Sequence, residues 1–206
     1  MSASSPPSPT GVRRAPVQAR SARRLSAVLE AAAALADEQG HEAVTTTDIA
    51  RRAGISIGAL YRFFDDQPAV YRALATLHLE QFVARLEQRL AADQPASPGA
   101  AADIGIDTYV EMRRTVPGFR GFGDVIDTHL IAGDRDNDTV VAERLLTVLA
   151  SHFDVAATEQ TRLVMLTAVT IADAVLRLAF RVSPTGDEAM VAQAAIAVRG
   201  YLAARL

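Results

Sequence analysis

Residues 45–64, TTTDIARRAGISIGALYRFF, constrain the fold of this chain more than any other stretch. They hold two short helical patterns separated by a turn. Thr45 is a good N-cap, and Asp48 three residues later can close a capping box and favour the helix dipole. Ile49 and Ala53 share one face four residues apart. Gly54 ends that helix in the manner of a C′ glycine, and Ser56 can cap a second helix whose Leu60 and Phe63 or Phe64 turn back to a core. Two short helices joined by a Gly-containing turn make a helix-turn-helix, whose second helix fits a major groove.

The remainder of the chain is consistent with an all-α protein. Its 206 residues suffice for one large or two small domains with a sizeable core. Half are hydrophobic, mostly Ala, Val and Leu, with few aromatics and no Trp. That composition favours closely packed helices over strands. Cysteine is absent, which rules out disulfides and thiolate chemistry, and all 21 basic residues are Arg. Residues 1–64 carry eight Arg against five acids, whereas residues 65–206 carry thirteen Arg against nineteen acids. A basic reader on an acidic body suits local contact with nucleic acid without general adhesion to it, and ordinary charge scatter is the alternative.

Residues 1–20 are rich in Ser and Pro and are expected to be a disordered basic arm. Arg13, Arg14, Arg20, Arg23 and Arg24 all precede the first acid, Glu30, and a mobile basic arm could follow phosphates or enter a minor groove, or could simply be solvated. A first helix is expected over residues 21–39, with Leu25, Val28, Leu29, Ala32 and Leu35 as its apolar stripe and Gly40 as its stop. With the two short helices it forms a domain over 21–66. Pro68 opens a connecting helix over about 67–92, and the remaining body, to residue 206, follows a loop near 93–103. Helices are expected near 101–115, within 119–133, over 139–153, and in two long apolar segments, 159–182 and 185–206.

From Val28 to Val70 the sequence resembles the DNA-binding domain of the TetR family of transcriptional repressors. The resemblance rests on VLEAA at the start of helix 1, on Gly40, on Thr45, Asp48, Ile49, Ala50, Ala53 and Gly54, and on Ser56, Gly58, Leu60, Tyr61 and Phe64. The chain departs from the family pattern at Ala36, in place of a usual aromatic, and at Ile57 and Gln67, where Lys is common. These departures bear on the operator sequence more than on the fold.

The DNA surface is accordingly expected to comprise Thr45, Thr46, Ser56, Ile57, Gly58, Ala59, Tyr61, Arg62 and Gln67. Arg62 can grip guanine or phosphate, and Ile57 and Ala59 suit thymine methyls. Gly58 permits close backbone approach, while Tyr61 and the hydroxyls suit phosphate oxygens. Thr45 and Ser56 could instead act only as caps, and Gln67 provides a neutral contact where the family has a cation. The resemblance also implies a small-molecule pocket in the body, with Met112, Phe119, Phe122, His129, Met165 and Asp173 as candidate lining residues; side chains of these types at helical spacing are more often core than ligand site, and for His129 a hydrogen-bonded core histidine is the stronger alternative. Asp173 and Arg177, at i and i+4, could pair with one another.

Ala168, Ala172, Ala174 and Ala179, and Ala192, Ala194, Ala195 and Ala197, would let the last two helices pack closely. The resemblance implies a homodimer through them, which would present two readers to a palindromic operator; packing within a monomer is the alternative. No cofactor or metal is implied, because the four His residues lack the spacing of a helical metal site. No phosphate loop or nucleophile motif supports an enzyme. No signal peptide is evident, and Asp173 and Arg177 make the 163–180 run too polar for a membrane span. The expectation is a cytoplasmic, ligand-responsive DNA-binding repressor. Its rivals are a helical ligand-binding or scaffold dimer that has lost DNA binding, and an enzyme on the same scaffold.

Overall fold

The computed structural model describes residues 14–119 and 137–206, with side chains described from Arg20 onward. Among these residues every regular element is helical: α1 (Arg14–Gln39), α2 (Thr46–Arg52), α3 (Ile57–Leu60), α4 (Gln67–Asp93), α5 (Pro98–Thr115), α6 (Asn137–His152), α7 (Glu159–Val182) and α8 (Glu188–Ala203), with a 3-10 turn at His41–Ala43. Helix α1 begins seven residues before its expected start, so residues 14–20 are helical rather than part of a disordered arm. Pro16 then falls in its first turn, where a missing N–H leaves no bond unmade. The helix expected within 119–133 lies almost wholly outside the described residues.

Two apolar cores divide the molecule. The smaller brings Val28, Ala32 and Leu35 of α1 against Ile49, Leu60 and Phe64, and is closed by Val70 and Leu74 of α4. The larger gathers the far half of α4 with α5, α6, α7 and α8. Helix α4 therefore contributes to both cores and physically joins the domains. Its start is well specified: the Asp66 side chain accepts from the Ala69 N–H, and Pro68 occupies the first turn.

Body helices are stitched by side chains that cross between them. Arg144 on α6 reaches both carboxylate oxygens of Glu80 on α4, at 2.8 and 2.7 Å. Arg114 on α5 pairs with Glu188 on α8 at 2.6 Å and donates to the Thr185 carbonyl. Gly99 lets α5 approach α8 closely, since a Cβ there would stand 3.1 Å from Arg199 Cγ. By length and mean hydropathy, 1.9, α7 is apolar enough to cross a bilayer, more so than its two interrupting charges suggested. Here it packs between α6 and α8.

Candidate DNA-binding surface and body cavity

The reader is built on caps. Thr45 Oγ1 accepts from the Asp48 N–H and donates to Asp48 Oδ2 at 2.5 Å, and Asp48 in turn accepts from the Thr45 N–H. The Thr45 hydroxyl is thus occupied on both sides and serves as a cap. These bonds also hold the Asp48 carboxyl below the usual carboxylate range. Ser56 caps α3 by accepting from the Ala59 N–H at 3.2 Å, which leaves its own proton for an outside acceptor. Gly54 takes a left-handed φ of +66° in the turn between the helices, where a side chain would be strained.

With Leu60 fully buried, α3 is held to the core by one face and presents the other to solvent. On that outer face Ile57 is 39% exposed and Tyr61 51% exposed, with Gly58 and Arg62 exposed beside them and Ala59 half-buried. The Tyr61 and Thr46 hydroxyls lie 3.2 Å apart and join α3 to α2 at the surface. Two neighbouring arginines are engaged: Arg51 pairs with Asp48, and Arg52 grips Glu38 at 2.8 and 2.6 Å. Among the described residues no carboxylate engages Arg62.

The Gln67 side chain is engaged within the protein. Its amide nitrogen donates to the carbonyls of His41, at 2.8 Å, and Val44, at 3.3 Å. Both amide hydrogens are used to tie the start of α4 to the link between α1 and α2, so the side chain has no donor left for phosphate. Tyr71 strengthens the same junction. It is buried against α1, its hydroxyl meets the Ala32 carbonyl at 3.5 Å, and burial pushes its pKa up to about 12.

In the body, a cavity of about 230 Å³ opens between α4, α5, α6, α7 and α8. Leu86 and Leu90 line it from α4, Ile106 and Tyr109 from α5, Val141 and Leu145 from α6, Met165 and Val169 from α7, and Val198 and Leu202 from α8. Its walls are mostly apolar and offer water few partners. Its polar groups are Tyr109, Asn137, Asp138, Asp173 and Arg177. Asp173 and Arg177 form an ion pair, and Thr170 donates to Asp138 at 2.9 Å.

Of the candidate lining residues, Phe119, Met165 and Asp173 line this cavity. Met112 does not: it is fully buried, but it is not among the cavity-lining residues and serves the core. Phe122 and His129 lie outside the described residues. The sequence reading missed the contribution of α4, because Phe82, Leu86 and Leu90 have ordinary core spacing and nothing local distinguishes a wall from a core.

A turn at residues 116–119 links the two regions. The Gly118 N–H donates to Asp37 Oδ2 of α1 at 2.8 Å. The buried His78 ring of α4 donates to the Pro117 carbonyl and packs tilted against the Phe119 ring, with centres 5.2 Å apart. Burial pushes the His78 pKa down to about 4, against smaller opposing effects of the Pro117 carbonyl and Asp37.

Comparison with protein families places this architecture. Residues 28–74 match the bacterial regulatory proteins of the tetR family, and residues 96–206 match the tetracyclin repressor-like C-terminal domain. The chain belongs to the TetR family. It is similar to a TetR-family transcriptional regulator from Streptomyces coelicolor, with 37% identity over 89% of this chain and 99% of that one, at a TM-score of 0.78. The TetR family repressor AlkX from Dietzia sp. strain DQ12-45-1b shares the fold at 20% identity, 88% and 97% coverage and a TM-score of 0.61. So does RolR in complex with resorcinol, at 18% identity, 90% and 95% coverage and a TM-score of 0.60. No curated protein matched the sequence. TetR-family members are DNA-binding regulators, and among the described residues no group of three His, Asp or Glu side chains is placed to hold a metal ion.

Proposed function

We propose that this TetR-family regulator is a homodimeric repressor that binds a palindromic operator and leaves it when a small molecule enters the body cavity. The observation that carries DNA binding is the outer face of α3. Ile57, Gly58, Tyr61 and Arg62 stand uncovered on a helix whose opposite face is fixed by the buried Leu60. Arg62 would contact a base or phosphate, Ile57 and Ala59 thymine methyls, and Thr46, Ser56 and Tyr61 phosphate oxygens. Thr45 and Gln67 orient this surface without touching DNA.

Dimerisation would use the exposed faces of α7 and α8. Leu163, Leu178 and Val182 on α7 and Ile196 on α8 are between 39% and 57% exposed, and Ala192, Ala197 and Gly200 lie open beside Ile196. A two-fold axis there would present two readers to half-sites about 34–36 Å apart.

Release would be a population shift. A ligand favouring one arrangement of the cavity walls biases α4, which forms part of both cores, and so the spacing of the two readers. RolR, a protein of the same fold that was solved in complex with resorcinol, supports this reading. An intracellular site of action follows from the proposed DNA target.

The first test is selection of duplexes from a random pool, followed by binding across a salt series. With six to ten phosphates neutralised, affinity should fall by about 10³–10⁵ between 50 and 200 mM salt. A selected palindrome with that slope supports the repressor reading. If no duplex is enriched even at low salt, the chain is instead a ligand-binding dimer without sequence-specific DNA binding.

A further inference from the structure

We infer that the turn at residues 116–119 is a second coupling element between cavity and reader, acting through Asp37 and Ala33 of α1 rather than through α4. The inference rests on the reading of the chain as a ligand-responsive DNA binder and adds a route that the α4 lever does not supply. Adjacency alone does not establish coupling. Three features make this turn a stiff link.

The first is the seat on α1. Gly118 has a φ of +73°, and a Cβ on it would stand 2.7 Å from Ala33 Cβ and 2.8 Å from Ala33 Cα. The turn therefore lies directly on α1, with no clearance in which to slide. The second is direction. The Gly118 N–H is held by one acceptor, Asp37 Oδ2, at 2.8 Å, so α1 cannot rotate away without breaking a charge-assisted bond. The third is the next residue. Phe119 is 1% exposed, lines the cavity, and touches Tyr109 at 5.5 Å between ring centres on one side and His78 at 5.2 Å on the other.

A ligand that displaces the Phe119 ring has little room to do so in a packed core, and the displacement passes to the adjoining Gly118 peptide. That peptide can remain on Asp37 or leave it. Helix α1 carries Val28, Ala32 and Leu35 of the reader core, so its two positions are two positions of the reader. Asp37 is thus a positioning residue: it touches neither DNA nor ligand.

The inference can be tested with DNA alone, because coupling is reciprocal. Exchange of the Gly118 amide hydrogen would be followed by NMR in the full-length protein, free and saturated with the selected duplex. Asp37 is exposed, so Asp37→Ala should fold. In the wild type, duplex binding should change Gly118 exchange by about fivefold or more, the lower range of ordinary coupling energies. In Asp37→Ala the response should vanish while the duplex still binds, and Asp37→Asn, which keeps an acceptor oxygen, should restore it. An unchanged Gly118 rate in duplex-saturated wild type would overturn the inference, as would an equal response in Asp37→Ala. If no duplex is bound at all, the regulator reading fails first and this one with it; binding with a silent Gly118 removes only the α1 route.

Discussion

At the scale of single residues, hydroxyls and amides that look alike in the sequence do different work. Thr45 and Ser56 are both caps, but Thr45 gives its proton to Asp48 and Ser56 does not. Thr45→Ala should therefore cost about 1 kcal/mol of stability and leave the salt slope of DNA binding unchanged. Ser56→Ala should lower that stability similarly and also weaken DNA binding, as urea unfolding and a salt titration would show. Arg62→Ala should cost about 1–3 kcal/mol of specific binding if the guanidinium reads a base. Wild-type affinity in that variant would remove Arg62 from the surface.

His78 supplies a pH test at the same scale. In the unfolded chain it titrates near 6.5, and in the fold near 4. Above 6.5 it is neutral in both states. As pH falls from 6.5 towards 4, only the unfolded chain takes up the proton, so stability declines by up to about 3 kcal/mol and levels off below 4. His78→Gln keeps a donor for Pro117 and should flatten this decline between pH 7.5 and 4.5 in urea unfolding. The His41 pKa is also lowered by burial, so some slope should remain in both proteins and cancel in their difference.

At the scale of elements, the last two helices divide their small residues between two tasks. Ala168, Ala179 and Ala194 are buried within the protomer, whereas Ala174, Ala192 and Ala197 face solvent. The alanine-rich pattern thus serves the protomer's own core on one side and leaves small residues open on the other. Ile196, 53% exposed, is the larger apolar side chain on the outer face of α8. Ile196→Arg should weaken dimerisation by about 30-fold or more in sedimentation, with helicity unchanged in circular dichroism. A variant that remains dimeric would place the interface elsewhere.

At the scale of the whole molecule, cavity and reader must obey reciprocity. A compound that fills the cavity and weakens DNA binding by some factor, ordinarily about 5–150, must itself be weakened by the same factor when DNA is bound. Calorimetry with and without the duplex measures both. A compound that occupies the cavity and leaves DNA affinity unchanged would separate the cavity from regulation.

The sequence by itself determined whatever depends on neighbours a few residues apart. The capping box at Thr45 and Asp48, the Gly54 turn, the start of α4 at Gln67 with Pro68 in its first turn, and the span of α7 all follow from local bonds and from 3.6-residue periodicity. The outward face of α3 was legible in the same way, because the burial of Leu60 fixes where Ile57, Tyr61 and Arg62 point. Tertiary structure decided what depends on distant partners. Gln67 became a tie to His41 and Val44, 26 and 23 residues away, and Met112 became core while Leu86 and Leu90 became cavity wall. Gly118 met Asp37 across 81 residues. Periodicity states which face of a helix is apolar, but not whether the neighbouring helix fills the space before it. That depends on how five helices fit together, and no local pattern encodes the fit.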